Sequence, residues 1–117
     1  MNNNSIYRIL QENWLSKMKP STKRTYRLVW QDLLRTSKRE VGDIDPTGVR
    51  RWELSMRSAG LCEKTIRGKL SVILSFYKFL LREQLILDAA GAWEALFSHY
   101  SRRRQRFDSS WTEAKIG

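Results

Sequence analysis

Residues 61–86, LCEKTIRGKLSVILSFYKFLLREQLI, are the longest uninterrupted helical pattern in the chain. Their apolar residues recur every three or four positions and predict one wide buried face. This face consists of Ile66, Leu70, Ile73, Leu74, Tyr77, Leu80 and Leu81. A polar stripe on the opposite side has no carboxylate and no bulky apolar residue. It consists of Lys64, Gly68, Ser71, Ser75, Lys78 and Arg82. We expect a helix that is buried on most sides and turns a narrow, positive stripe towards an anionic partner.

The charge of the chain narrows the choice of partner. Among 117 residues, 22 are Lys or Arg and 12 are Asp or Glu, which gives a formal net charge of +10. The length suits one domain, and a hydrophobic content of 41% with five tryptophans suits a packed core. A small domain this basic is typical of proteins that bind nucleic acid, although a cationic surface that only keeps the protein soluble gives the same count.

Rare residue types exclude several classes of site. Cys62 is the only cysteine, which excludes an intrachain disulfide and a thiolate metal cluster. His99 is the only histidine, which excludes zinc fingers and helical zinc-protease motifs. No apolar run reaches the roughly 20 residues that span a membrane, and the N-terminus lacks a secretory signal pattern. We expect a cytoplasmic protein without a cofactor, a metal or a small-molecule ligand.

The first two predicted helices lie in the N-terminal third of the chain. The first has a cap among residues 2–5 and ends near Met18, because a proline follows two positions later. The second has Ser21 as its predicted N-cap, a residue type that caps helices well. Its apolar side is formed by Tyr26, Val29, Trp30, Leu33 and Leu34.

Two further helices complete an all-α prediction of four to five short helices. The third runs from Pro46 to Ser58. Asp45 before a proline is a typical helix start, and Gly60 is a typical helix end. A fifth, shorter helix follows Asp88. The predicted core residues of the third and fifth helices are Val49, Trp52, Met56, Ala59, Ala92, Trp93, Leu96, Phe97 and Tyr100. The arginines predicted to be exposed are Arg50, Arg51 and Arg57.

The second helix carries its cations mainly in its N-terminal half, at Lys23, Arg24 and Arg27. Cations are unfavourable at that end, because the helix dipole prefers anions there. The first N–H groups of a helix can bind a phosphate, and a bound phosphate would reverse the balance. We therefore interpret these residues as candidate phosphate contacts. An ordinary solvated face remains the alternative for each of them.

The fourth helix combines cations with small side chains, which suits a helix in the major groove. Lys64, Thr65, Arg67 and Lys69 lie in its first two turns, and Gly68 keeps the outward ridge low. Ser71 and Ser75 continue that ridge. Two alternatives stay open: close packing of another helix against Gly68, and a neutral surface role for the two serines.

The order of these motifs resembles the N-terminal core-binding domain of tyrosine recombinases, the phage-integrase superfamily, from about Tyr7 to Ile86. The resemblance rests on Thr22, Tyr26, Leu33, Asp45-Pro46, Val49, Gly60-Leu61-Cys62, Thr65-Ile66, Leu70-Ser71, Phe76-Tyr77 and Leu85-Ile86. It implies a SAM-like bundle that forms half of a C-shaped clamp around a core recombination site. It also implies that the second and fourth helices face the major groove. The candidate DNA-binding residues are Ser21, Thr22, Lys23, Arg24, Arg27, Lys64, Thr65, Arg67, Gly68, Lys69 and Ser71.

Some residues depart from the family pattern. Cys62 replaces the usual serine cap, and no Asn-Pro pair follows Leu87. His99 and Arg102 fit the expression H-x-x-R, which contacts a scissile phosphate in some DNA-cleaving enzymes. The rest of such a catalytic set, with its arginine, lysine and tyrosine nucleophile, does not accompany them. We therefore expect no catalytic activity in this chain.

We predict a DNA-binding domain at residues 1–100, followed at 101–117 by a basic flexible tail or linker towards an absent catalytic domain. Double-stranded DNA at a core recombination site and other recombinase protomers are the expected partners. The chain would be either a fragment or a stand-alone relative. One alternative is a stand-alone regulator with a helix-turn-helix-like unit. Another is a protein-interaction bundle whose basic face is incidental.

Overall fold

A computed structural model describes the backbone of residues 3–85 and 90–101. Helix α1 spans Asn3–Ser16, α2 spans Pro20–Ser37, α3 spans Pro46–Ser58 and α4 spans Glu63–Arg82. A single 3₁₀ turn, Val41–Asp43, lies between α2 and α3. Residues 90–101 form a fifth helix, α5. The part of the chain described here contains no strand, so the all-α prediction is confirmed.

Local chemistry sets both ends of α3. The Asp45 carboxylate accepts a hydrogen bond from the backbone N–H of Gly48 at 2.7 Å, which satisfies a first-turn donor. Gly60 adopts φ +84°, where a side chain would be strained. The N–H groups of Gly60 and Leu61 then bond back to the carbonyls of Arg57 and Met56, as in a Schellman motif. The predicted bounds of α3 are confirmed.

The start of α2 differs from the prediction. Lys19 is the N-cap, Pro20 is the first helical residue, and Ser21 lies inside the first turn. Proline takes the first position because its φ is already helical and its missing N–H costs nothing there. The cap therefore falls to Lys19, whose side chain makes no capping hydrogen bond. Cys62 is likewise an N-cap without a capping bond, as its residue type predicts.

Helix α4 is buried on most sides. Among its predicted apolar residues only Leu81 is not fully buried. Val72 and Phe76 are also buried, which widens the face beyond the predicted one. On the opposite side the stripe of Lys64, Gly68, Ser71, Lys78 and Arg82 is exposed, and Ser75 is half-buried.

Helices α2 and α4 run in opposite directions. The Trp30 ring lies 5.4 Å from the Phe76 ring between centroids, whereas Asp32 contacts Lys69 nearer the start of α4. Earlier in α2, Tyr26 packs on Trp14, whose other contact is again the Phe76 ring. The direct contacts of residues 30 and 32 of α2 therefore fall on residues 76 and 69 of α4, which is the reverse order.

Helix α5 is held against the bundle at both of its ends. Near its start, the Trp93 ring stacks on Tyr77 with 3.9 Å between centroids and 12° between planes. Near its end, the Tyr100 hydroxyl donates to a carboxylate oxygen of Glu53 at 2.7 Å. Glu53 is only 3% exposed and receives two hydrogen bonds from Arg57. The buried carboxylate thus joins α3 to α5.

Three smaller expectations were wrong. Ala59 and Ala92 are exposed, because each lies near the end of a helix where the bundle does not cover it. The Arg57 side chain is 33% exposed, since it pairs with Glu53 and Glu63. His99 is half-buried. Asp88 and the predicted tail beyond residue 101 lie outside the described residues. None of the helices in the two described ranges is long and apolar enough to cross a membrane.

Candidate nucleic-acid interface

The N-terminal half of α4 presents a low, positive surface. Lys64, Thr65, Gly68 and Ser71 are exposed. A Cβ atom built on Gly68 would meet no atom within 4 Å in the part of the chain that the structure describes. Close helix packing therefore does not explain this glycine. Within a helix, glycine costs about 1 kcal/mol relative to alanine, so the protein gains nothing in its own fold from this residue.

The predicted DNA-binding residues of α2 differ in their solvent exposure and in whether they pair with a carboxylate. Ser21 and Arg24 are exposed, and Thr22 and Lys23 are half-buried. Arg27 is exposed but makes two hydrogen bonds of 2.8 Å to the Glu12 carboxylate of α1. This hydrogen bonding holds the pKa of Glu12 below its ordinary value.

Lys69 is also held by a carboxylate. Its Nζ lies 3.3 Å from an Asp32 oxygen, which accepts a second hydrogen bond from the Trp52 indole at 3.2 Å. Arg35 donates to the other oxygen of Asp32 at 3.1 Å. Burial raises the pKa of Asp32, but the hydrogen bonds from Lys69 and Trp52 outweigh it and leave the pKa below its ordinary value. Lys69 thus fastens α4 to α2 and α3, and Arg67 beside it is half-buried.

This junction predicts a pH-dependent contribution to stability. Asp32→Asn is expected to lower the free energy of unfolding by about 1–2 kcal/mol at neutral pH, because hydrogen bonds to a charged group are lost. The folded-state pKa is depressed, so the difference from wild type is present above the ordinary aspartate pKa of about 3.9. It shrinks as the pH falls through the lower folded-state value. Urea unfolding from neutral to acid pH measures it. Asp43→Asn, which removes an exposed carboxylate elsewhere, is the control; a difference independent of pH would contradict the assignment.

The structure does not bring the two predicted clusters together. Residues 21–24 lie about 12–17 Å along α2 from Asp32, and Lys64 lies about 8 Å along α4 from Lys69, given a rise of about 1.5 Å per residue. The helices run in opposite directions, so the clusters extend to either side of the Asp32–Lys69 contact. The candidate surface is therefore elongated, with cations towards both ends and small side chains between them.

Most described carboxylates are already engaged. Pairs form between Arg8 and Glu40, Arg35 and Asp32, Arg39 and Asp45, Arg57 and Glu63, and Arg82 and Glu83. Within residues 3–85 and 90–101, Arg24 and Lys64 have no carboxylate within salt-bridge distance. These two exposed cations therefore leave a positive charge on the surfaces of α2 and α4 that the described acidic residues do not neutralise.

The comparisons with known proteins agree with this architecture. A sequence model of the phage integrase N-terminal SAM-like domain matches residues 11–84, well over half of the chain. The chain belongs to this family. The match runs from within α1 to just past the end of α4, so the predicted SAM-like bundle of this integrase domain is confirmed. Neither the curated proteins nor the solved structures gave a match.

Sequence interpretation missed two residues that shape the integrase domain. Glu53 follows Val49 by four positions and precedes Met56 by three, which places it on the buried side of α3. The arginine four residues later was the available signal for its partner. Asp32 gave no comparable signal, because Trp52 and Lys69 are 20 and 37 positions away.

Proposed function

We propose that this chain is the DNA-binding domain of a site-specific tyrosine recombinase or integrase, and that it grips a core recombination site through α2 and α4. The observation that carries the proposal is the exposed stripe of α4. Gly68 has open space beside it although glycine weakens the helix. A ligand that must approach the helix backbone would explain a glycine at this position, and membership of the integrase family supports DNA as that ligand.

The geometry suits a helix in a groove flanked by phosphates. The major groove is about 12 Å wide and admits an α-helix. Gly68, Ser71 and Ser75 would face its floor, where hydroxyl groups can bond to base edges. Arg24 and Lys64 would contact phosphates, which fix the position of the protein on the duplex.

The remaining predicted contacts are of two kinds. Ser21, Thr22, Lys23 and Thr65 lie near the exposed cations and would add phosphate or sugar contacts. Arg27 and Lys69 must exchange a carboxylate for a phosphate before they can bind DNA, so we rank them below Arg24 and Lys64. Strand cleavage is not part of this proposal, since the matched SAM-like domain is the non-catalytic part of an integrase. Other protomers on the DNA and a nucleoid location follow from the same proposal.

A salt titration tests this function. Binding of the whole chain to a fluorescently labelled duplex is measured by anisotropy from about 50 to 200 mM salt, where each phosphate neutralised contributes about −0.9 to the log–log slope. Arg24→Ala and Lys64→Ala are each expected to weaken binding severalfold and to flatten the slope by about 1. The physical reason is that each variant releases one fewer counterion.

Arg51→Ala is the matched control. Arg51 is an exposed cation on α3, outside the proposed face. Arg51→Ala should leave the log–log slope of affinity against salt concentration unchanged. Equal effects of all three variants would show a diffuse cationic surface, and wild-type binding that ignores salt would overturn the proposal in favour of a protein-interaction bundle.

A further inference from the structure

The exposed side of α2 carries a straight ridge that begins in its N-terminal cluster and extends beyond it. Arg24, Leu28, Gln31 and Arg35 follow one another at spacings of four, three and four residues, so their side chains lie in one line. All four are exposed. The ridge therefore has a cation at each end and an apolar side chain beside an amide in its middle.

Leu28 is the large apolar side chain that this ridge exposes. Its side chain is 60% exposed. The other large exposed hydrophobic residues of the described ranges lie outside α2 and α4. Leu28 has cations at both ends of its ridge, which makes an apolar protein partner a poor match. In the major groove the apolar group is the 5-methyl of thymine, which leucine can contact.

Gln31 supplies the matching polar contact. It lies about 4.5 Å further along the helix axis than Leu28, which is between one and two times the spacing of about 3.4 Å between successive nucleotides of one strand, so the two side chains can reach neighbouring base pairs. Its amide makes no hydrogen bond with the described residues. Glutamine can bond to N6 and N7 of adenine with both amide groups.

We propose that Leu28 and Gln31 recognise an A·T-containing step in the major groove, Leu28 through a thymine methyl and Gln31 through adenine N6 and N7. Arg24 and Arg35 bracket the pair and would hold phosphates, with Arg35 turned partly back by Asp32. The inference rests on the proposed DNA-binding function. It adds base recognition by the middle of α2 to the groove-floor contacts proposed for the α4 stripe.

Modified bases test the two residues separately. A preferred duplex is first selected with the whole chain from a randomised library, and its affinity is measured by anisotropy. Deoxyuridine in place of thymidine removes the methyl group; it should weaken wild-type binding about fourfold per contacted base and should not weaken Leu28→Ala further. 7-Deazaadenine in place of adenine removes N7; it should weaken wild-type binding about tenfold and should not affect Gln31→Ala.

The controls separate this inference from the function itself. Leu54→Ala removes an equally exposed leucine, 58% accessible, from α3 and should retain full sensitivity to deoxyuridine. Each α2 variant should retain sensitivity to the modification aimed at the other residue. Salt-dependent binding that ignores both modified bases, or a selection that enriches no A·T step, would overturn the inference and leave the proposed function standing. Failure of the wild-type chain to bind any duplex would overturn both.

Discussion

Glu53→Ala is expected to lower the free energy of unfolding by about 3–5 kcal/mol, which is the usual effect of removing one partner of a buried ion pair. The loss is large because one carboxylate serves several groups. One oxygen accepts both hydrogen bonds from Arg57, and the other accepts the Tyr100 hydroxyl at 2.7 Å. Without it, a half-buried guanidinium keeps only Glu63, and α5 loses its contact near residue 100.

Urea unfolding followed by far-UV circular dichroism measures this loss. Hydrogen exchange should show faster exchange in α5 than in α2, because α5 depends on this contact. Glu53→Gln retains a hydrogen-bond acceptor for Tyr100 but loses the negative charge that pairs with Arg57. Its free energy of unfolding should therefore lie between those of Glu53→Ala and the wild type. Glu94→Ala, which removes an exposed glutamate of α5, is the matched control. A loss below about 1 kcal/mol for Glu53→Ala would rank this network with ordinary surface ion pairs.

Gly68→Leu is expected to weaken DNA binding about 100-fold, equivalent to about 2.7 kcal/mol, while it stabilises the folded protein. Leucine at a mid-helix position gains roughly 0.5–1 kcal/mol over glycine, and open space lies where its Cβ would stand. The same side chain would hold the α4 backbone away from the groove floor and so stretch the phosphate contacts at both ends of the surface. Stability and affinity should therefore change in opposite directions.

Two measurements check this prediction: thermal unfolding of the free protein and anisotropy with duplex DNA. Gly91→Leu provides the control, because a Cβ at Gly91 also meets no atom of the described residues within 4 Å but the residue lies on α5. It should leave DNA affinity unchanged. Gly68→Ala should fall between wild type and Gly68→Leu in both measurements. If Gly68→Leu binds duplex DNA as tightly as the wild-type protein, the α4 stripe does not belong to the interface.

The fold followed from the sequence wherever local chemistry decides it. The apolar period of α4 predicted its buried face, and Asp45, Pro46 and Gly60 set the ends of α3 through hydrogen bonds within a few residues. The start of α2 was misplaced by two residues, because proline at the first helical position outweighs the capping preference of Ser21.

Less of the candidate site could be predicted from the sequence. Exposure of Lys64 and Gly68 followed from helical spacing, but the engagement of Lys69 by Asp32 did not. Spacing along one helix carries no information about a carboxylate on another. The separation of the two cationic clusters has the same origin, since the relative direction of α2 and α4 is set by packing among Trp14, Trp30 and Phe76.

The opposite course of α2 and α4 gives the proposed footprint a polarity. One end of the surface carries Ser21 and Arg24, and the other carries Lys64 and Thr65, so the two ends are chemically unlike. If the domain bound a duplex in the reverse orientation, each phosphate would face a different set of hydrogen-bond donors. A single copy would therefore sense which way a recognition sequence runs, before any second copy binds.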